Sequence, residues 1–404
     1  MKNGIKLALA ATLALGTTSA FATNGSNLIA TGAKARAMGG TSIAMAHGAE
    51  SGLSNAALIT SIEGTQVSFG GTIFMPNVKN TNNIGGGDVS ENSAANMSVI
   101  PEVSIATKVS DSFYWGIGMW GTAGMGVDYR DGAAMAANGA QMQMVTNLQL
   151  MQFGVPLAYK TNNISFAITP LLQYGSLDIN YNHAQAGNKG SGVAQDLQFG
   201  YNLGVAYEIS NFTLGAVYKS QIDMDYKGVL SNTVDAFSTT GVYANDKLST
   251  PAEIGVGVSY KMSKHTVALD YKQIKWSSCK GYEDFSWEDQ NVVAVGYAYD
   301  ASGWTGRLGY NYSKSPISEQ TASTVNSANL SGGVQNTFNL LGFPGITESH
   351  FTLGGTYDLS DNTSVDAAYV YAPEVSNTYT TNFGTQMTTK HSQTSLSLAL
   401  NYAF

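Results

Sequence analysis

Ser395-Leu396-Ser397-Leu398-Ala399-Leu400-Asn401-Tyr402-Ala403-Phe404 closes the chain on a strict period of two. Leu396, Leu398, Leu400, Tyr402 and Phe404 fall on one side, and Ser395, Ser397, Ala399, Asn401 and Ala403 on the other. Side chains of an extended strand alternate between its two faces, so the segment is a strand with one oily face and one small or polar face. The same pattern recurs upstream. Trp304, Leu308, Tyr310 and Tyr312 alternate with Thr305, Arg307, Gly309 and Asn311; Ile254, Val256, Val258 and Tyr260 alternate with Glu253, Gly255, Gly257 and Ser259.

Fourteen segments read this way: 65–75, 98–109, 113–129, 142–160, 163–182, 195–209, 211–228, 249–262, 265–278, 287–300, 303–313, 348–359, 362–373 and 391–404. The joints between them alternate. Those at 110–112, 161–162, 210, 263–264, 301–302 and 360–361 are tight, whereas 76–97, 130–141, 183–194, 229–248, 279–286, 314–347 and 374–390 are long. Short turns on one side and long loops on the other are the pattern of an antiparallel transmembrane β-barrel with both chain ends in the periplasm. In lipid every backbone N–H and C=O must find a partner inside the protein, and a closed barrel supplies one without leaving an edge. A soluble β-sandwich also alternates, but it seldom places so many tyrosines at strand ends. Tyr207, Tyr218, Tyr260, Tyr271, Tyr297, Tyr299, Tyr310, Tyr312, Tyr357, Tyr369, Tyr371 and Tyr402 suit the aromatic girdles at the two membrane surfaces.

Composition removes other classes. Of the 404 residues only 12% are charged, against roughly a quarter in soluble domains. The low charge and 10% aromatic content argue against disorder. Cys279 is the only cysteine, so there is no disulfide scaffold. An acidic balance, 20 basic against 28 acidic residues, disfavours nucleic acid. The five histidines show no metal-ligand spacing, and neither a Gly-x-Ser-x-Gly elbow nor a phosphate loop is present, so no enzyme and no cofactor are expected.

Residues 1–22 have a basic start (Lys2, Lys6), an apolar run and the small-residue ending Ala20-Phe21-Ala22, the pattern of a cleaved signal peptide. Residues 23–64 do not alternate and are rich in Gly, Ala and Ser. They read as short helices and turns, a plug for a barrel spanning 65–404.

At Gly32-Ala33-Lys34-Ala35-Arg36-Ala37-Met38-Gly39-Gly40 and Ser54-Asn55-Ala56-Ala57, followed by fourteen strands, the chain resembles the outer-membrane long-chain fatty acid transporters and their relatives that take up aromatic hydrocarbons. Further matches are Leu248–Pro251, Asp270–Ser277, Gly309–Ile317 and the closing strand. Two departures stand out. Ala56 replaces the family's usual proline, and 172–181 lacks the basic residue some members carry there. The resemblance implies a monomeric passive importer of hydrophobic compounds in the bacterial outer membrane, in contact with lipid and lipopolysaccharide. Phe404 would be the signal read by the barrel assembly machinery. Arg36, Gly39, Gly40, Asn55 and Ala56 would belong to the plug. It also implies that the third strand, with Gly116, Gly118, Gly121, Gly124 and Gly126, is kinked and opens the wall sideways.

The loops suggest an apolar surface for capturing a greasy ligand, formed by Met135 and Met142 on one loop and Phe338, Leu340, Leu341 and Phe343 on another. The competing reading is that these loops pack on each other and cap the barrel. Alternation turns Arg307, Asp270, Lys272 and Asp366 into the lumen, either to hold a carboxylate headgroup or to pin an internal salt-bridge network. A general porin and a surface adhesin are the rival functions.

Overall fold

The computed structural model describes residues 23–84, 86–131, 142–183, 187–237 and 242–404. Its fourteen wall strands are β1 (Thr65–Asn82), β2 (Ser98–Lys108), β3 (Phe113–Asp128), β4 (Val145–Gly154, resuming as Leu157–Thr161), β5 (Ile164–His183), β6 (Ala194–Ile209) and β7 (Phe212–Lys219). The circuit continues with β8 (Glu253–Met262), β9 (His265–Ile274), β10 (Gln290–Ala301), β11 (Trp304–Ser313), β12 (Ser349–Ser360), β13 (Thr363–Thr380) and β14 (Gln386–Ala403). Each pairs antiparallel with the next, and β14 pairs back onto β1 from Gln66↔Ala403 to Asn82↔Met387. The ladder therefore closes. Two short strands, Val89–Asn92 and Gly187–Lys189, fold back onto β1 and β5.

The alternation places the faces as expected. Leu308, Leu398 and Val256 point outward and are exposed, while Asn311, Ser397 and Asp270 point inward and are buried. The tight joints use left-handed residues, with φ of 51° at Asn162, 53° at Ser210 and 55° at Ser263. These conformations match the twist of two-residue hairpins.

Several boundaries differ from the sequence reading. β7 stops at Lys219 instead of running to 228, because Ile222, Met224 and Tyr226 turn in and are buried beneath the loops. β8 starts at Glu253, just after Pro251, which has no N–H to give a ladder. In the other direction, β13 and β14 extend to Thr380 and Gln386 as a polar hairpin. Above the membrane a strand needs no apolar face, so hydrophobic periodicity could not reveal this extension.

Residues 23–64 lie in the lumen. Ala33–Ala37 (α1) and Ser51–Ser54 (α2) are short helices, and Gly48–Glu50 and Ala56–Ser61 are tighter helical turns. The plug is tied to the wall around its circumference. Arg36 donates to Glu102 of β2 through Nη1 at 2.9 Å and Nη2 at 2.5 Å, and to Thr72 of β1 at 2.7 Å. Ser42 N and Ile43 N donate to Asp270 of β9 at 2.7 and 2.9 Å. Asn55 Nδ2 donates to Val205 O of β6 at 3.1 Å, while its Oδ1 accepts from Ala57 N at 3.1 Å and caps the following turn. Ala56 is the first residue of that turn, where no amide hydrogen is required, so replacing the family's proline costs no bond.

Gly39 shows why glycine is needed here. Its φ is 69°, its N–H meets Thr352 Oγ1 at 2.9 Å, and a Cβ would lie 2.6 Å from Tyr310 N. Backbone rests directly on backbone, and no side chain fits between.

Removing one partner of a buried ion pair typically costs about 3–5 kcal/mol, because the other charge is left stranded. Arg36→Ala is therefore expected to loosen the plug while the barrel stays folded. Hydrogen exchange should rise across 23–64, with no change in heat-modifiable migration on gels.

Candidate functional site

The wall contains a window. β2 and β3 pair only from Lys108↔Tyr114 to Glu102↔Trp120. Beyond that point Ser98–Pro101 of β2 pair only with β1. β3 from Gly121 onward stays paired with β4, through a bulge at Thr122. At the top the segment leading into β2 meets the end of β3, where Ala94 N donates to Asp128 O at 2.8 Å. At about 3.3 Å per residue, the unpaired stretch of β2 makes an opening roughly 13 Å tall.

Two of the backbone groups that β3 turns away from β2 pair with the plug instead. Leu28 N donates to Thr122 O and Gly124 N donates to Ser26 O, both at 3.1 Å. The plug's leading segment thus acts as a substitute strand. The window itself is filled by Leu28 of the plug, Phe74 of β1 and Ile100 of β2, which pack together and are buried.

Trp120 marks the lower corner. Its indole N–H donates to Ser104 Oγ at 2.8 Å, and a Cβ on Gly118 would lie 2.0 Å from its ring. Gly121 borders the opening, and its Cβ would lie 2.4 Å from Ile100 Cγ2. The five glycines therefore have different roles. Gly116 and Gly118 belong to the paired part of β3, whereas Gly121, Gly124 and Gly126 lie beyond the break.

Above the plug is a cavity of about 80 Å³ walled in part by Leu28, Ile29, Ile43 and Val292. Its polar side carries Lys219, Lys272 and Glu253. Glu253 Oε2 lies 3.2 Å from Lys219 Nζ and 3.8 Å from Lys272 Nζ, and its Oε1 accepts from Asn27 at 3.1 Å. Two ammonium groups thus share one carboxylate. A second space of about 10 Å³ lies between Leu28, Ile29 and the wall at Phe74 and Gln393. Leu28 and Ile29 are the partition between the two.

The four charged residues expected in the lumen fall into two places. Asp270 and Lys272 line the cavity above the plug. Arg307 and Asp366 lie toward the periplasmic end. Arg307 donates to Thr356 at 2.6 Å, and Asp366 accepts from Asn401 at 2.6 Å and sits 3.5 Å from Lys34 of the plug. Arg307 is part of this lower network and does not line the upper cavity. Lys219, which the sequence reading did not single out, lines that cavity instead.

The loop residues also need correction. Met142, Phe338, Leu340, Leu341 and Phe343 are buried, all in one apolar cluster with Met125, Met144, Trp276 and Trp287. They present no exposed surface; the loops fold onto each other and cap the barrel. Met135 lies outside the described residues. Below this cap Trp276, Tyr282 and Trp287 stand with ring centroids 4.6–5.1 Å apart. Gly25 is seated against them, and a Cβ there would come within 2.7 Å of Trp276. The acidic loop residues serve as loop ties: Asp289 accepts from Ser277 N at 3.0 Å and from Lys275 at 3.0 Å, and Asp284 accepts from the Tyr243 hydroxyl at 3.0 Å.

Sequence reasoning passed over Glu102 and Ile100, and it placed Leu28 in the plug without a role at the wall. The first two were within reach, since alternation along β2 turns Ile100 and Glu102 inward together. Leu28 was not, because irregular chain carries no periodicity to read.

The ladder break, the lumen plug and the closed fourteen-strand wall coincide with a family signature: residues 8–325 match the model of the outer membrane protein transport proteins (OMPP1/FadL/TodX). The chain belongs to that family. It is an outer-membrane protein. A 47 kDa outer membrane protein of Pasteurella multocida (strain Pm70) is 26% identical over 234 residues, 51% of this chain and 50% of that relative. The chain thus matches about half the length of that relative. Among solved structures, a FadL homologue of Pseudomonas aeruginosa superposes with a TM-score of 0.70 at 15% identity, covering 94% of this chain and all of that one. The P. putida toluene transporter TodX gives 0.68 at 17% identity, with coverage of 93% and 99%. The Ralstonia pickettii toluene transporter TbuX gives 0.63 at 18%, also with 93% and 99%. At these identities the likeness establishes the fold.

The plug carries a titratable anchor. Glu50 accepts from Lys34 N at 3.2 Å and from Ser68 Oγ of β1 at 3.1 Å. Burial pushes its carboxyl from 4.5 up to about 7, with nearby Asp366 and Glu102 adding to the rise against the pull of Lys34. A docked plug therefore holds a proton that a free one gives up. The resulting stabilisation is full below about pH 4.5 and is lost as pH rises through about 7. Plug-opening events in planar bilayers are expected to be more frequent at pH 8 than at pH 5.5, and Glu50→Gln should remove most of that difference.

Proposed function

We propose that the chain lets hydrophobic small molecules cross the outer membrane passively and releases them sideways into the bilayer through the β2–β3 window. The observation that carries this reading is the interrupted ladder, filled on its inner side by apolar Leu28, Phe74 and Ile100 instead of by strand pairing. A greasy passenger gains roughly 0.8 kcal/mol per CH₂ in lipid relative to water, so a lateral door leads downhill and a periplasmic one does not. The stoppered lumen and closed cap disfavour a general porin.

Fatty acids and aromatic hydrocarbons are both candidate passengers. Two of the structural relatives are toluene transporters. Lys219 and Lys272 favour a carboxylate, which would take over from Glu253 as their partner. The upper cavity, at about 80 Å³, is smaller than the roughly 150 Å³ that accommodates benzene in an engineered apolar cavity. Any passenger must displace Leu28 or its neighbours. Binding and release are then one movement of the plug's leading segment. The protein acts as a monomer among outer-membrane lipid and lipopolysaccharide, with Phe404 presented to the assembly machinery.

A cross-link tests the route. A Cβ on Gly121 would lie 3.7 Å from Ile100 Cβ, which suits a disulfide. In the Ile100→Cys, Gly121→Cys double variant, oxidation is expected to reduce uptake of labelled oleate and toluene to the level of cells lacking the protein, and reduction should restore it. Full uptake in the oxidised state would mean exit to the periplasm.

If the lysines hold a headgroup, Lys219→Ala and Lys272→Ala should each weaken oleate binding by about 1.5–3 kcal/mol, the worth of a hydrogen bond to a charged group. Toluene binding should be unaffected. Calorimetry on the purified protein checks the difference.

A further inference from the structure

The polar hairpin at the top of β13 and β14 has no part in the route described above. Together with β1 and the short strand Val89–Asn92 it makes a four-stranded sheet whose outward side chains stand in rows. The last rows with apolar members are Tyr369, Leu396 and Ile73, then Tyr371, Thr394 and Met75. Farther out come Ser376, Lys390, Lys79 and Asn92, and beyond them Thr378, Thr388, Thr81 and Ser90.

Lys79 and Lys390 are thus directly opposite each other, and both are exposed. Like charges in that position oppose strand pairing. Glu374 reaches Lys390 at 3.1 Å, and no carboxylate pairs with Lys79 among the described residues. Nothing in the packing of the hairpin calls for this juxtaposition in a chain with only 20 basic residues. The row beyond is all hydroxyls. Thr378 Oγ1 lies 2.7 Å from Thr388 Oγ1, and Thr81 Oγ1 lies 2.8 Å from Ser90 Oγ. Each pair uses one hydroxyl hydrogen and leaves the other free to donate outward.

Height decides what such a surface meets. Met75 to Lys79 is roughly 13 Å along the strand. Barrel strands tilt by about 35–45°, so the lysines stand about 10 Å above the row of Tyr371. Girdle tyrosines lie at the level of the lipid headgroups. The lysines are therefore above phospholipid phosphates, within the sugar layer of the outer leaflet.

We infer that Lys79, Lys390 and the hydroxyl row bind a phosphorylated core sugar of lipopolysaccharide. The inference goes beyond hydrophobic import and needs only the outer-membrane location and the strand register. A phosphate between the two ammonium groups removes their repulsion, and the hydroxyl row meets the attached sugar. Glu374 is the opposing charge, which holds Lys390 until a phosphate takes it over.

Native mass spectrometry of the full-length protein in mild detergent tests this. The titrants are lipopolysaccharide with a phosphorylated core, lipid A alone and phosphatidylglycerol. The first is expected to bind about tenfold tighter than the other two, the worth of about one hydrogen bond to a charged group. The margin should shrink as salt is raised, because the pair is exposed. Lys79→Gln combined with Lys390→Gln should remove the margin, and Glu374→Gln should widen it by freeing Lys390. All three side chains are on the surface, so the variants leave the barrel intact, and heat-modifiable migration on gels checks that. Equal binding of lipopolysaccharide and lipid A would overturn the core-phosphate site, as would an unchanged margin in the double lysine variant. Tightest binding of phosphatidylglycerol would overturn it in favour of a phospholipid contact. Uptake of labelled oleate and toluene is a separate measurement, expected to be unchanged in the double variant, so failure of either reading leaves the other standing.

Discussion

Backbone hydrogen bonding inside the membrane is the constraint on which this structure depends. Lipid offers no partner to a free N–H or C=O. A barrel solves this by closing, and here β14 returns to β1 along its whole membrane height. Opening a door in such a wall would expose several groups at once. The chain avoids this by replacing β2 with its own leading segment: where β3 leaves β2, Leu28 N and Ser26 O take up Thr122 O and Gly124 N. The plug therefore completes the sheet as well as filling the bore.

That substitution couples two events. The segment that pairs with β3 also supplies Leu28, which fills the window, and Leu28 with Ile29 divides the upper cavity from the space beside Gln393. On the proposed route, displacing this segment would open the partition and the window together. The aromatic rings around Gly25 hold its start, and the bidentate Arg36–Glu102 pair holds its end. The stretch between has the fewest ties, while the rest of the plug is tied to the wall through Asp270 and Asn55.

Charge is distributed to suit this division. The lower lumen holds Lys34, Arg307 and Asp366 with Thr356 and Asn401, a network facing the periplasm. The upper lumen holds Lys219, Lys272 and Glu253 beside the apolar cavity. Both networks look alike in sequence, as single charges on the inward side of strands. What separates them is height, and height follows from how far each residue lies from its turn: Arg307 is three residues past the start of β11, whereas Glu253 opens β8 at the loop end.

Much of this was legible in the sequence. Period-two alternation and the regular exchange of short and long joints required fourteen antiparallel strands, a lipid-facing exterior and a lumen lined by the other face, because a strand cannot send neighbouring side chains the same way. Lack of alternation before residue 65 set the plug apart. What only the tertiary structure decided was pairing across the sheet and the fate of the loops. Where β2 and β3 separate depends on the path of Ser26–Leu28, which no periodicity records. Apolar loop residues such as Phe338 and Leu341 read the same whether they wait for a ligand or pack on Met142, since hydrophobicity states that a surface will be covered but not by what. The strand pattern is a local property of the backbone; the window and the cap are agreements between segments distant in sequence, and only the folded chain brings them together.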